Sequence, residues 1–108
     1  VQFIEKIHQV IEENLDNSDF NIDTIASTIG LSRSAFFKKL KSLTGFAPVD
    51  LVKEIRLNKS IELIKNSDMS ISEIAFAVGF KDSGYFSKCF RKKYDQTPRE
   101  YMNEWRKG

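Results

Sequence analysis

The chain has 108 residues, enough for one domain or two very small ones sharing a core. At 41% hydrophobic and 30% charged, with two Pro, five Gly and one Cys, it is neither a disordered tail nor a collagen-like repeat nor a disulfide framework. The net charge of +2 hides a net of −5 over residues 1–32 and +7 over residues 33–108, and a basic body with an acidic end points to a polyanionic partner.

The N-terminus, Val1-Gln2-Phe3-Ile4-Glu5, has no initiator Met and lacks the basic flank and apolar run of a signal peptide. No apolar run approaches the ~20 residues that span a bilayer. These features predict a cytoplasmic segment of a longer protein, without membrane contact. Over residues 1–15, Phe3, Ile4, Ile7, Ile11 and Leu15 recur at helical spacing. Asn17-Ser18-Asp19 breaks that helix. Asn21 caps a second helix through Ile29, with Ile22, Ile25, Ala26 and Ile29 on one side. Gly30-Leu31-Ser32 is a tight turn with Ser32 as N-cap. A third helix runs from about Arg33 to Leu43, with Phe36, Leu40 and Leu43 inward, and Gly45 suits the left-handed position at its end.

Pro48 opens a long helix to about Lys65, carrying Leu51, Val52, Ile55, Ile61 and Ile64. Ser70 and Glu73 form a capping box before a short helix through Val78. After Gly79-Phe80-Lys81-Asp82 comes a helix over about Ser83–Lys93, with Phe86, Cys89 and Phe90 inward. A second capping box, Thr97 and Glu100, opens a last helix holding Tyr101 and Trp105. No segment alternates with the period of a half-buried strand, so the fold class is all-α with seven helices. Three segments follow: 1–47, 48–66 as a connecting helix, and 67–108.

The chain repeats itself. Ile22, Ile25, Ala26, Ile29 and Gly30 match Ile71, Ile74, Ala75, Val78 and Gly79 at an offset of 49. After the turn the offset is 50, where Phe36, Lys38, Leu40, Lys41 and Pro48 match Phe86, Lys88, Phe90, Arg91 and Pro98. Each copy is a short helix, a Gly turn that a side chain would obstruct, and a longer helix: the helix-turn-helix plan. The small Ala26 and Ala75 allow close helix crossing. The outer face of each second helix is then free to enter a DNA major groove. That face carries Arg33, Ser34, Phe37, Lys38 and Lys41 in the first copy, and Ser83, Gly84, Ser87, Lys88 and Arg91 in the second. Between Arg33 and Lys41 stand four basic residues and no acid; between Lys81 and Lys93 stand five and one acid, Asp82. Such concentration suits phosphate neutralisation.

The stretch from Ile71 to Phe80, followed by Asp82-Ser83-Gly84-Tyr85-Phe86-Ser87-Lys88, Phe90-Arg91-Lys92 and Thr97-Pro98-Arg99-Glu100-Tyr101, resembles the AraC/XylS family of bacterial transcription regulators. Ala26, Gly30-Leu31-Ser32, Phe36, Leu40-Lys41 and Thr44-Gly45 match in the first copy, so the resemblance covers roughly Asp19 to Trp105. Two positions depart from it: Asp95 stands where Gly is usual, and Phe37 where a polar residue is usual. The resemblance implies sequence-specific binding of double-stranded DNA by two helix-turn-helix units on one rigid central helix of roughly 27 Å, with recognition helices in adjacent major grooves. It also implies RNA polymerase as a further partner. Leu31-Ser32-Arg33-Ser34 and the first helix resemble the output domain of hybrid two-component sensors, which implies upstream receiver or sensor domains; a free-standing regulator or a response regulator is the alternative.

Arg33 and Lys88 are expected at base edges, since both types donate to guanine O6 and N7. Ser34, Ser83 and Ser87 admit close approach to bases or phosphates, and Lys38 lies on the same reading face. Gly84 leaves space, and Phe37 packs on a thymine methyl or shields the duplex backbone. Lys41, Lys81, Arg91 and Lys92 are expected at phosphates. Ser32 joins them, although capping is its nearer role, as it is for Thr97. His8 has no second ligand at metal spacing and reads as a surface histidine. Cys89 reads as an inert buried thiol, Trp105 as closing the core, and the Phe residues as core. No phosphate loop, metal cluster or nucleophile–base pair is visible, so the reading is a binding module without cofactor or catalysis. The alternative is a basic helical module for an acidic protein partner.

Overall fold

The computed structural model of the chain describes residues 2–17 and 21–107. Those residues form seven helices and no strand: α1 (Gln2–Glu13), α2 (Ile22–Ile29), α3 (Arg33–Thr44), α4 (Pro48–Asn66), α5 (Ile71–Ala77), α6 (Ser83–Tyr94) and α7 (Pro98–Lys107). Of the expected break after the first helix, Asn17 is described, and Ser18 and Asp19 lie outside the described residues. The helices pack as two units. One holds α1, α2, α3 and α4 as far as Ile55; the other holds α4 from Arg56, α5, α6, α7 and the chain at Asp16 and Asn17. The connecting helix expected over 48–66 is α4, whose residues up to Ile55 belong to one unit and from Arg56 to the other. The division follows from the burial pattern along α4. Leu51 and Ile55 are buried near its start, and Leu57, Ser60 and Ile64 further on. At 3.6 residues per turn, Leu57 is rotated by about 240° from Leu51, so the two sets occupy different faces.

In the first unit the core is Ile7, Val10, Ile11, Leu15, Ile25, Ala26, Phe36, Leu40, Leu51 and Ile55. Asn21 caps α2, its Oδ1 accepting from Thr24 N–H at 3.0 Å. Gly30 ends α2 in the left-handed region at φ 85°. That turn lets Gly30 N–H donate to Ser27 O at 3.1 Å and Leu31 N–H to Ala26 O at 2.9 Å. A Cβ added at Gly30 would meet nothing within 4 Å. Glycine is there because of its φ, not because a side chain would obstruct the turn as expected from sequence.

The second unit repeats the turn. Gly79 has φ 96°, and Phe80 N–H donates to Ala75 O at 2.9 Å. Its core is more aromatic. Phe86 sits 5.2 Å from Phe80 and 5.8 Å from Phe90, centroid to centroid, and Phe90 sits 4.6 Å from Tyr94 and 5.9 Å from Tyr101. Tyr94 donates its hydroxyl to Asn58 Oδ1 at 3.0 Å. Burial, with Tyr101 adding to it, pushes its phenol up to about 12, so it stays a neutral donor. Arg106 reaches back to close the end of α4, donating to Ile64 O at 3.1 Å, Ser67 O at 2.8 Å and Met69 O at 2.9 Å.

Several sequence expectations need correction. Leu43 does not point inward but is 56% exposed. It stands in the last turn of α3, where Lys41 and Ser42 are exposed with it, so the apolar side of the helix runs on past the part that is covered. Trp105 does not close the core. It is 51% exposed, with Lys65 Nζ 4.6 Å from its ring centroid, because Tyr101 already fills the gap beside Phe90. The phenylalanines are not uniformly core: Phe36, Phe80, Phe86 and Phe90 are buried, whereas Phe37, Phe46 and Phe76 are exposed. Cys89 is buried as expected. Asp95 builds the same turn that Gly45 does, with φ 61° against 80°. Its N–H donates to Arg91 O at 2.8 Å, as that of Gly45 does to Lys41 O at 2.9 Å.

Asp95 thus carries a left-handed conformation that glycine adopts without strain. Asp95→Gly should raise stability by roughly 0.5–1 kcal/mol, and Gly30→Ala should lower it by about 1 kcal/mol, in thermal unfolding. Both capping boxes are formed, Glu73 Oε1 accepting from Ser70 N–H and Glu100 Oε1 from Thr97 N–H, each at 2.8 Å. Those bonds hold both carboxyls below the ordinary 4.5. A lowered folded-state pKa means stabilisation that is present above the unfolded value and lost as pH falls through the folded one. The double variant E73Q/E100Q keeps an acceptor for each N–H but no titrating group. Its melting temperature should therefore fall less than the parent's between about pH 5 and about pH 3.

Candidate nucleic-acid interface

Two capped helices present the expected residues. Ser32 Oγ accepts from Ala35 N–H at 3.1 Å and starts α3. Phe36 and Leu40 are wholly buried and fix which side of α3 faces the core. The opposite side, Arg33, Ser34, Phe37, Lys38 and Lys41, is exposed throughout. Phe37 is 47% exposed, a large apolar ring on a polar arc. α6 follows the same logic. Asp82 Oδ1 accepts from Gly84 N–H at 2.7 Å, and Phe86, Cys89 and Phe90 are buried. Gly84, Lys88, Arg91 and Lys92 are exposed, as is Lys81 in the turn, while Ser83 and Ser87 are half-buried. A Cβ at Gly84 would stand 3.2 Å from Asp82 Oδ1, so the space that glycine leaves is used by the cap.

The cations do not all serve this surface. Lys39 Nζ lies 4.3 Å from the Phe3 ring centroid, and Lys93 Nζ 5.4 Å from that of Tyr94. Lys41, Arg91 and Lys92 stand in the last turns of their helices, where cations also complement the negative end of the helix dipole. Arg33 stands in a first turn, where the dipole disfavours it, and pairs with Asp23 of α2. Its Nη1 is 3.3 Å from both Oδ1 and Oδ2. His8 is half-buried in α1. Among the described residues no group of three His, Cys, Asp or Glu could hold a metal ion, and no helix is long and apolar enough to cross a membrane.

Arg56 was not legible as a supporting residue. Its guanidinium donates to Gly79 O at 2.8 Å and to Asn17 O at 3.3 Å, bracing the turn that leads into α6. Burial lowers its pKa, which for a guanidinium leaves it charged. Neither partner is near it in sequence, and the one available signal was a cation between the apolar Ile55 and Leu57.

The helix-turn-helix domain model matches residues 25–104. The chain is 38% identical over 104 residues to histidine kinase P4 of Formosa agariphila, covering 96% of this chain and 8% of that protein. The C-terminal domain of the two-component response regulator yesN from Fusobacterium nucleatum is similar in structure at TM-score 0.85, with 29% identity over 94% of this chain and 99% of that one. The DNA-binding domain of the global transcriptional factor AdpA, solved with a target DNA, is similar at TM-score 0.88, with 28% identity over 97% and 93% of the two chains.

Arg56→Ala should cost roughly 2 kcal/mol of stability, because it leaves the Gly79 and Asn17 carbonyls without their charged donor. Arg56→Lys, which reaches fewer acceptors, should recover part of that in the same thermal or denaturant titration.

Proposed function

The chain belongs to the AraC/XylS-type helix-turn-helix family, and from that membership we propose that it binds double-stranded DNA sequence-specifically as the output domain of a larger, signal-responsive transcription regulator. The exposed arc on each of α3 and α6 carries the reading. Two capped helices, each anchored by buried Phe and Leu or Phe side chains, present cations and small polar groups on the side away from the core. The likeness to a domain solved with its target DNA supports the same reading. Arg33, Ser34, Phe37 and Lys38 of α3, and Ser83, Gly84, Ser87 and Lys88 of α6, face base edges in this reading. Ser32, Lys41, Lys81, Arg91 and Lys92 hold phosphates and set register. Ser32 caps α3 through its oxygen and retains a hydroxyl hydrogen to donate.

The chain matches 8% of the length of a histidine kinase, which supports upstream sensor or receiver domains; a cytoplasmic place of action goes with the proposed DNA binding. RNA polymerase is a second proposed partner. Binding, not catalysis, is the proposed activity.

Selection from a random duplex library at near-physiological salt tests the proposal. Two enriched sequence blocks would support reading by both units, and one block would leave the other unit as a backbone holder. No enrichment would overturn DNA reading and favour the alternative, a basic helical module whose exposed cations meet an acidic protein partner. On the selected sequence, Arg33→Ala and Lys88→Ala should each weaken binding by about 1–3 kcal/mol and relax preference at one position. Lys92→Ala should weaken all sequences alike and flatten the salt slope by about one unit. Identical behaviour of the three on selected and random DNA would remove the division between readers and holders.

A further inference from the structure

Resting on the reading of Arg33 as a base contact, we propose that Asp23 is a positioning residue for it, and that the first unit thereby reads a guanine through a carboxylate-held arginine. The geometry divides the guanidinium into two sides. Nη1 sits between both carboxylate oxygens of Asp23, 3.3 Å from each. A guanidinium carries five N–H donors in a planar fork, so Nε and Nη2 keep theirs for a ligand. A long side chain that would otherwise sample many rotamers is biased by this contact toward one position before DNA arrives, with its other donors still open. Two parallel donors from one plane match the two acceptors of guanine, O6 and N7. Adenine offers N7 beside an N6 donor, which an all-donor group cannot pair.

Charge placement supports the assignment. Asp23 lies in the first turn of α2, where the helix dipole favours a carboxylate, and Arg33 lies in the first turn of α3, where it disfavours a cation. Both side chains are largely exposed, 69% for Arg33 and 65% for Asp23, so the pair is open to a ligand and contributes little to folding by itself. An unneutralised carboxylate on this face would repel a phosphate backbone, and the pair removes that charge. The other repeat has nothing equivalent. At the offsets of the repeat, Asp23 matches Ser72 and Arg33 matches Ser83. The device therefore belongs to the first unit, and the strictest guanine should lie in the block that this unit reads.

The test is random-duplex selection with the parent chain and with R33A, D23A, D23N and R33A/D23A, alongside thermal melting of each. The expected result is one guanine position that R33A relaxes and that D23A relaxes by about two- to fivefold, the span open to an exposed ion pair. D23N, which keeps an acceptor oxygen, should retain more of the preference than D23A. The double variant should read like R33A alone. If R33A relaxes a position that D23A leaves sharp, the positioning role is wrong while the base contact stands. If D23A only strengthens or weakens binding to all sequences, the carboxylate acts as a charge near phosphate and the proposal is overturned. A melting-temperature loss in D23A with unchanged preference also overturns it, by showing a purely structural pair. If R33A relaxes nothing, the base reading of Arg33 fails first and the inference falls with it.

Discussion

A single backbone conformation governs both halves of this molecule. In each repeat a glycine with positive φ ends the first helix, and the residue after it returns its N–H to an alanine carbonyl at 2.9 Å. The left-handed residue reverses the chain within one turn, and the returned bond satisfies a carbonyl that the helix end would leave bare. Ala26 and Ala75, which supply those carbonyls, are themselves buried. The direction in which α3 and α6 leave their turns descends from this constraint, and the buried Phe36 and Leu40, or Phe86 and Phe90, then decide the side that each shows to solvent. The second repeat has one more residue between turn and helix, yet the same hydrogen bond forms. The insertion is absorbed at Lys81 and Asp82, ahead of the Asp82 cap on Gly84.

The two units reach similar ends with different materials. Leu31 and Leu40 in the first correspond to Phe80 and Phe90 in the second, where edge-on ring contacts replace aliphatic packing. The second unit also uses arginine as an internal tie. Arg56 holds the Gly79 turn and Arg106 the end of α4, both through backbone carbonyls. Both show that part of a basic composition serves the fold and not a ligand. The surface that remains, Arg33, Lys38 and Lys41 on one helix and Lys88, Arg91 and Lys92 on the other, is smaller and better defined than a net of +7 suggests.

Local features were legible in the sequence because their causes are local. The caps at Asn21, Ser32, Ser70 and Thr97, the glycine turns and the helical period of Phe36 and Leu40 each rest on residues within about one turn of one another. The repeat added what no single element carried, since two copies of one spacing placed the outer arcs on corresponding faces. Leu43 and Trp105 were misplaced because periodicity states which side of a helix is apolar, not whether another element covers it. Asp95 departs from the usual glycine, and its conformation depends on the whole turn, which tolerates an aspartate in glycine's place.

The sequence by itself determined the helical elements, the caps at Asn21, Ser32, Ser70 and Thr97, the duplicated turn and the cations that stand exposed on α3 and α6, because hydrogen bonds and side-chain period act over a few residues. Only the tertiary structure decided where α4 is divided, which cations are spent inside the fold, and that Asp23 meets Arg33. Those outcomes depend on groups from 10 to 42 residues apart in the chain, and distance along the chain carries no signal until packing brings them together.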